Sequence, residues 1–228
     1  MSPFGLDIGN SSIKAVHLEK SGEQFTLLSA GITPSPIKSI SSALEKDLIL
    51  VAESIRKLIS DAKIVAREVN ISLPESQVFT RMIQLPLLTD EEIAAAISWQ
   101  AEPYIPIPVT QASIDYQIIE RRDPTGHDPG GVDVLLVAVP KELVEKYMKV
   151  VKLSGLTIAN IESDLLALSR SVAPIGQSTV LVDVGSSSTN IGIVKNGQLM
   201  VSRSVATGGE VLTRAVSSAL SVTSAQAE

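Results

Sequence analysis

The sequence contains no cysteine, only two histidines and no surplus of positive charge, and each of these shortages argues against a class of function. Without cysteine the chain has no disulfide, no thiolate metal site and no cysteine nucleophile. Its two histidines, His17 and His127, lie far apart in sequence, which disfavours a histidine-rich metal centre. The formal net charge of −6 leaves no basic excess to neutralise nucleic-acid phosphates. We therefore expect neither thiol chemistry nor nucleic-acid binding.

Long apolar runs are also missing. No run approaches the roughly 18 apolar residues that a membrane-spanning helix needs, and the longest candidates, such as Val134–Pro140, have the length of a strand. Asp7 stands where the apolar core of a secretory signal would have to run. We expect a cytoplasmic protein without direct membrane insertion, which reaches a membrane only through a partner.

The residues that are present predict an α/β protein. The chain has 228 residues with 44% hydrophobic content, enough for one large domain or two smaller ones. Apolar residues at helical spacing alternate along the chain with short strand-like runs. The predicted helices are Ser41–Lys63, a helix starting at Thr89 and ending at Ala101, Lys141–Ser154, Ser163–Val172 and Glu210–Leu220. Strands and helices mixed in this way indicate the α/β class.

Residues 77–140 have the pattern of a separate module. A predicted strand, Val78–Leu85, is followed by the helix that starts at Thr89 and then by the strands Ser113–Arg121 and Val132–Val139. A polar segment, Asp123–Gly131, joins the last two strands and has nothing to bury, so we expect a hairpin connection there.

An internal repeat is the most informative feature. The segment Leu6–Ser12 recurs as Val182–Ser188: each copy is an apolar strand that ends in Asp-x-Gly and hydroxyl residues, followed by a second apolar strand. A glycine just past the strand allows a positive φ and a close approach of the backbone to a ligand. Backbone N–H groups and serine hydroxyls in a tight turn suit an anion. An aspartate at the strand end suits Mg²⁺, usually through water.

A structural turn is the alternative interpretation of each copy, because Asp-x-Gly followed by serine is a common turn sequence. Two copies between apolar strands favour a pair of phosphate-binding hairpins. Lys14 adds a positive charge if its side chain points toward the phosphates, and the sequence leaves that orientation open. The chain has neither a G-x-x-x-x-G-K-[ST] nor a G-x-G-x-x-G motif, which disfavours P-loop and Rossmann proteins.

Paired Asp-x-Gly hairpins resemble the phosphate 1 and phosphate 2 motifs of the actin-like ATPase superfamily, which has a ribonuclease H-like fold. Within it the chain resembles the FtsA-related PilM family of type IV pilus assembly proteins. The segment Glu102–Pro108, with the sequence Glu-Pro-Tyr-Ile-Pro-Ile-Pro, is the most specific match. Further matches are Ile114–Tyr116, Val134–Lys141, Ser154–Leu156, Ile161–Glu162 and Gly208–Thr213.

The resemblance implies a division of the chain. Residues 1–76 and 141–176 would form subdomain 1A, and residues 77–140 the inserted strand–helix–strand–strand module, an SHS2-type subdomain 1C. Residues 177–228 would begin subdomain 2A. The chain therefore resembles the N-terminal portion of the family, with the C-terminal half incomplete.

The resemblance further implies that the chain binds ATP and Mg²⁺, with weak or absent hydrolysis because the second loop is serine-rich. Asp7 and Asp183 would hold Mg²⁺ through water. Glu162 falls where filament-forming relatives carry the carboxylate that positions the attacking water, and an ordinary surface acid at a helix start is the alternative. The other residues implied at the nucleotide are Gly9, Asn10, Ser11, Ser12, Lys14, Gly185, Ser186, Ser187, Ser188, Thr189, Gly208, Gly209 and Glu210.

In function, the resemblance implies a cytoplasmic ATP-binding assembly protein of the type IV pilus inner-membrane platform. It would dock the N-terminal cytoplasmic segment of PilN in a groove between 1A and 1C, with Tyr104, Ile105 and Pro106 as candidate contacts, and would meet other pilus platform proteins. The resemblance also allows self-association. Two alternatives stay open: a sugar kinase or other phosphotransferase on the same fold, and an FtsA-like cell-division scaffold.

Overall fold

The helices begin and end close to the residues that the sequence predicts. The computed structural model describes residues 2–127 and 129–228, so the predicted connection Asp123–Gly131 includes one residue, Asp128, outside the described part. The helices are α1 (Glu45–Asp61), α2 (Asp90–Ala101), α3 (Lys141–Leu153), α4 (Asp164–Val172), α5 (Gly209–Leu220) and α6 (Ser224–Ala227). The sequence did not predict α6, nor two short 3₁₀ segments, Glu75–Gln77 and Val109–Gln111.

Local hydrogen bonds explain where two of the helices start. The Thr89 hydroxyl accepts the N–H of Glu92, and the Glu92 carboxylate accepts the N–H of Thr89, which forms a capping box before α2. At α1 the carboxylate of Asp47 accepts the N–H of Leu44 at 2.9 Å. This bond starts the helix at Glu45, four residues after the predicted Ser41.

The strands also follow the predicted pattern. They are β1 (Phe4–Ile8), β2 (Ser12–Ser21), β3 (Gln24–Pro34), β4 (Glu68–Leu73), β5 (Phe79–Leu85), β6 (Ala112–Arg122), β7 (Gly131–Pro140), β8 (Thr157–Ser163), β9 (Ser178–Val184), β10 (Thr189–Lys195) and β11 (Gln198–Val205). The predicted strand–helix–strand–strand order of the inserted module is confirmed by β5, α2, β6 and β7.

The chain folds into two structural units. The first comprises the residues up to Pro74 together with Glu142–Asp164. It contains one five-stranded sheet in the order β3-β2-β1-β4-β8. Strand β1 pairs antiparallel with β2 and parallel with β4, and β4 pairs parallel with β8. The carboxyl ends of β1, β4 and β8 therefore lie at the same edge of this sheet.

Two amphipathic helices of this unit bury an apolar side, and α1 lies against β2 and β3 of the sheet. On α1 the buried stripe recurs at helical spacing and consists of Leu48, Val51, Ala52, Ile55, Leu58 and Ile59. On α3 the buried side is Leu143, Tyr147, Val150 and Val151. The sheet contributes fully buried apolar side chains such as Phe4, Ile13, Val69 and Ile71.

The second unit comprises Glu75–Lys141 and Leu165–Glu228 and contains two three-stranded antiparallel sheets. Their orders are β5-β7-β6 and β11-β10-β9. One face of the β5-β7-β6 sheet packs against α2 through Ile83, Leu85, Ile93, Ile97, Val134 and Leu136, with Ile105 in the same core. Leu135, on the opposite face of β7, packs with Leu165 of α4 and with Leu181, Val194 and Leu199 of the other sheet. Strand β7 is therefore buried on both faces.

Candidate functional site

The first copy of the repeat forms a tight hairpin between β1 and β2. The N–H of Gly9 donates a hydrogen bond to the carbonyl oxygen of Ser12 at 3.0 Å. A Cβ atom on Gly9 would lie 2.9 Å from that same oxygen. Asn10 and Ser11 form the exposed tip of the turn. Any other residue at position 9 would therefore force the backbone of the turn to move.

The second copy forms the same hairpin between β9 and β10. The N–H of Gly185 donates to the carbonyl oxygen of Ser188 at 2.9 Å, and a Cβ on Gly185 would lie 3.1 Å from that oxygen. The repeat seen in the sequence is thus a repeat in backbone geometry, which lies once in each unit.

The reason why glycine is required differs from the predicted one. The sequence suggests that these glycines allow a positive φ and a close approach of the backbone to a ligand. The positive φ is wrong, and the close approach to a ligand stays a prediction. Neither Gly9 nor Gly185 is among the residues with positive φ. Both are required because the carbonyl oxygen three residues later comes so close to the missing Cβ.

The structure settles the direction of Lys14. Lys14 stands directly opposite Asp7 in the β1–β2 register, and its Nζ donates to Asp7 Oδ2 at 3.0 Å. Both side chains are largely exposed, at 53% for Lys14 and 41% for Asp7. An exposed pair of this kind contributes only about 0–1 kcal/mol, so a stronger ligand can displace it.

Glu162 lies in the same row of the first sheet as Lys14 and Asp7. Leu6 pairs with Ile71, and the register continued by one residue places Asp7 beside Ser72, which pairs with Glu162. Two strand spacings separate the backbones of Asp7 and Glu162, or about 10 Å. Glu162 lies within β8, two residues before α4 starts at Asp164. The role of positioning a water molecule and the alternative of a surface acid at a helix start both stay predictions.

A buried tyrosine near this row was missed by sequence reasoning. Tyr147 of α3 is 2% exposed. Burial, followed by the negative charges of Asp164 and Asp7, raises the pKa of its phenol well above the ordinary value near 10. In the sequence Tyr147 is only one of several apolar residues on a helix face. Its neutral phenol forms part of the surroundings of the Asp7 carboxylate.

We expect Tyr147 to make the protein sensitive to alkaline pH. Because the folded-state pKa is raised, the neutral phenol stabilises the fold fully below pH 10, and this stability is lost as pH rises toward the folded-state value. The free energy of unfolding should fall by about 1.4 kcal/mol from this group between pH 9 and pH 11. Urea unfolding at both pH values should show this loss in wild type and in the exposed control Tyr104→Phe, and not in Tyr147→Phe. An equal loss of stability in all three proteins would contradict the assignment of this loss to Tyr147.

The second hairpin holds its aspartate differently. Asn190 stands directly opposite Asp183 in the β9–β10 register, and its side-chain amide donates to Asp183 Oδ2 at 3.1 Å. The Asn190 Oδ1 in turn accepts the Ser204 hydroxyl at 2.7 Å. Asn190 is 5% exposed, so this row of three polar side chains is fixed in the sheet. Asp183 is held by a neutral amide, where Asp7 is held by a cation.

The N-terminus of α5 packs onto the turn of the second hairpin. The N–H of Gly209 donates to Gly185 O, and the N–H of Glu210 donates to Ser186 O, both at 2.9 Å. The Thr189 hydroxyl also donates to Thr207 O at 2.7 Å. Gly208, Gly209 and Glu210 thus lie beside the second hairpin, and two of their N–H groups support its turn. That they contact a nucleotide stays a prediction.

The oxygen atoms at the two hairpins suit Mg²⁺. The described part of the chain has no group of three or more acidic or histidine side chains able to hold a metal ion. Mg²⁺ does not require one, because it keeps several waters and is usually held by one or two carboxylates together with substrate phosphates. A single carboxylate at each strand end fits that manner of binding.

The candidate partner residues have different surroundings. Tyr104 is partly exposed, and the Arg81 guanidinium lies 4.7 Å from its ring centre. Pro106 is exposed, as is Trp99 of α2, which no sequence motif marks. Ile105 is 9% exposed and packs in the core of the inserted module. It therefore holds its exposed neighbours Tyr104 and Pro106 in place and offers little surface of its own to a partner.

Within the residues that the structure describes, no helix is both long enough and apolar enough to cross a membrane.

Comparison with known proteins gives a consistent picture. The sequence matches the family model described as Type IV pilus assembly protein PilM over residues 5–228. The structure is similar to that of the PilM–PilN type IV pilus biogenesis complex, with a TM-score of 0.80 and 22% identity over 100% of this chain and 68% of that chain. It is also similar to the ethanolamine utilization protein EutJ from Carboxydothermus hydrogenoformans, with a TM-score of 0.58 and 13% identity over 99% of this chain and 59% of that one.

Among curated relatives, the cell division protein FtsA of Streptococcus pneumoniae is 24% identical over 98% of this chain and 54% of its own length. The chain spans about half the length of the FtsA relatives it matches. The structural similarities confirm the predicted actin-like ATPase fold.

Proposed function

The chain belongs to the PilM family of type IV pilus assembly proteins. From this we propose that it docks the N-terminal cytoplasmic segment of a PilN-type membrane protein. We also propose that it binds a magnesium nucleotide through its two hairpins. The family match over residues 5–228 is the observation that carries the proposal. In this proposal the protein lies at the cytoplasmic side of the inner membrane and is held there by its partners, which include other pilus platform proteins.

The equal geometry of the two hairpins supports nucleotide binding. Each presents a hydroxyl-rich turn directly after a strand-end aspartate, and turn N–H groups together with hydroxyls bind phosphate oxygens well. Asp7 and Asp183 would hold Mg²⁺, whose charge offsets that of the phosphates. Asn10, Ser11, Ser12 and Lys14 would bind phosphate at the first hairpin, and Ser186, Ser187, Ser188 and Thr189 at the second.

We propose that the nucleotide acts as a conformational ligand and that hydrolysis is weak or absent. A ligand shifts a conformational equilibrium by its difference in affinity for the two states, without any need for turnover. Glu162 remains the candidate for positioning a water molecule. A turnover of about 1 per second or faster would contradict this part of the proposal and favour the phosphotransferase alternative.

The docking proposal is supported by a solved relative that forms a complex with PilN. An exposed surface of the inserted module offers aromatic and proline side chains for an extended peptide: Tyr104 with Arg81 beside it, and Pro106. The subdomain assignment 1A, 1C and 2A is proposed with it. An FtsA-like division scaffold is the second candidate, favoured by the identity to FtsA, and it predicts no affinity for a PilN-type segment.

We expect Tyr104→Ala to weaken peptide binding about tenfold, because truncation removes one aromatic anchor worth about 1.4 kcal/mol. A synthetic peptide of a PilN-type N-terminal segment should bind the wild-type chain in the micromolar range by calorimetry, since ordering a short segment offsets much of its contact energy. Phe25→Ala, which removes an exposed aromatic side chain from β3 of the first unit, is the matched control and should leave the affinity unchanged. Equal affinity of wild type and Tyr104→Ala would exclude this surface as the docking site.

A further inference from the structure

Glu75 and Thr80 are buried polar side chains without a hydrogen-bond partner. Glu75 opens the 3₁₀ segment Glu75–Gln77 and is 2% exposed, and Thr80 in β5 is 7% exposed. Within the described part of the chain, neither carboxylate oxygen of Glu75 and not the hydroxyl oxygen of Thr80 forms a hydrogen bond. The salt bridges of the described residues include none to Glu75. Buried polar atoms are nearly always paired, so these oxygens indicate a ligand.

Both residues belong to the second unit and lie where two sheet edges meet. The 3₁₀ segment and β5 both contact β11. Strands β5 and β11 are each the outer strand of a three-stranded sheet, and no strand pairing among the described residues joins them. The N–H of Val78 donates to Glu75 O at 3.1 Å, which turns the chain tightly from Glu75 into β5. Because the outer edge of a strand carries unpaired carbonyl groups, further oxygen atoms are available at this meeting of edges.

We propose that Glu75 and Thr80, together with carbonyl groups of these strand edges, bind an alkali-metal ion, Na⁺ or K⁺. Carboxylate, hydroxyl and carbonyl oxygens are the ligands of hard cations. A buried carboxylate is strongly unfavourable unless an opposite charge compensates it. One positive charge cancels that of Glu75, and a single ion can contact the unpaired oxygens of both side chains.

The charge of the site argues against the other occupants. A divalent ion would leave a net positive charge in the interior, and Mg²⁺ also keeps several of its waters. A buried water molecule would donate hydrogen bonds to the oxygens and leave the negative charge in place. A proton would cancel the charge but would leave the second carboxylate oxygen of Glu75 without a donor.

The ion would link the 3₁₀ segment and β5 to β11, and would so hold the first strand of the inserted module against the neighbouring sheet. The unfolded chain does not bring these oxygens together. An ion that binds only the folded state raises stability as its concentration rises. Neither nucleotide nor peptide takes part, so this inference is independent of the proposed function.

The ion dependence of unfolding tests the site. Urea unfolding of the chain is measured in choline chloride, and choline is then replaced stepwise by Na⁺ or by K⁺ at constant ionic strength. Above the dissociation constant, one bound ion raises the folding equilibrium constant about tenfold for each tenfold increase in ion concentration. We expect this rise with at least one of the two ions, and the comparison of the two series identifies which one the site prefers.

Three variants assign the rise to the site. Glu75→Gln, which keeps the shape and removes the charge, should abolish the rise and should be more stable than wild type in choline alone, where the charge of Glu75 is uncompensated. Thr80→Val should raise the ion concentration needed about tenfold, since one ligand is lost. Glu23→Gln makes the same change at an exposed glutamate between β2 and β3 and should keep the full rise.

Two results would overturn the inference. Equal stability of the wild type in choline, Na⁺ and K⁺ would show that water or a proton occupies the site. A rise that persists in Glu75→Gln would show that the ion binds elsewhere. If Glu75→Gln does not fold, Thr80→Val decides, because an ion dependence identical to that of wild type would exclude the site.

Discussion

Replacing Gly208 with alanine should destabilise the second hairpin strongly, although it adds a single methyl group. A Cβ at this position would lie 2.5 Å from Gly185 O and 2.6 Å from Ser186 O. Both are backbone atoms of the turn itself, so no side chain can rotate to make room. The backbone of Gly208 is extended, with φ −140°, a conformation open to any residue. The expected loss of stability therefore comes from the steric overlap of the added Cβ with these two carbonyl oxygens, and not from backbone strain.

We expect Gly208→Ala to lower the free energy of unfolding by about 3 kcal/mol. Overpacking costs about 1–3 kcal/mol, and displacement of α5 also strains the bonds from Gly209 and Glu210 to the turn, each worth about 1 kcal/mol. Chemical denaturation measures the loss, and hydrogen exchange at the amides of Gly209 and Glu210 locates it.

The adjacent glycine provides the control. A Cβ on Gly209 would come no closer than 3.8 Å to Gly185 O, which is ordinary contact. Gly209→Ala should leave stability and exchange close to wild type. If the two variants behave alike, the close packing of α5 on the turn is not what holds the second hairpin.

The repeat, the helices and the hairpins could be predicted from sequence because their signals are local. An apolar strand, Asp-x-Gly and a second strand lie within a short stretch, and the stripe on α1 repeats at helical spacing. Even the seven-residue spacing from Asp7 to Lys14 and from Asp183 to Asn190 is present in the sequence. Its meaning appears only with the strand register, which shows that each pair is directly opposite.

Other features depend on contacts between distant segments, which the sequence does not reveal. The role of Gly9 depends on how closely Ser12 O approaches, and a turn sequence alone does not distinguish close approach from a positive φ. The N–H groups of Gly209 and Glu210 are directed to carbonyl groups more than twenty residues earlier. Tyr147 looks like an ordinary core residue until the fold brings it near Asp7 and Asp164.

The largest functional effect is expected from Asp183. If its carboxylate carries the magnesium ion, Asp183→Ala removes the metal contact at the second hairpin, and the ion no longer offsets the phosphate charge there. The affinity for magnesium nucleotide should fall at least tenfold, which corresponds to about 1.4 kcal/mol or more. Asp61→Ala, which removes the same charge from an exposed position at the end of α1, should have no such effect.

A titration of the ¹⁵N-labelled chain with Mg-ATP tests the central claim, that the two hairpins bind nucleotide phosphates. We expect saturable changes in the amide signals of Gly9–Ser12 and of Gly185–Thr189, which depend on Mg²⁺ and need at least tenfold more nucleotide in Asp183→Ala. Saturable changes elsewhere in the chain with both hairpins unaffected, or no change at any concentration, would contradict it.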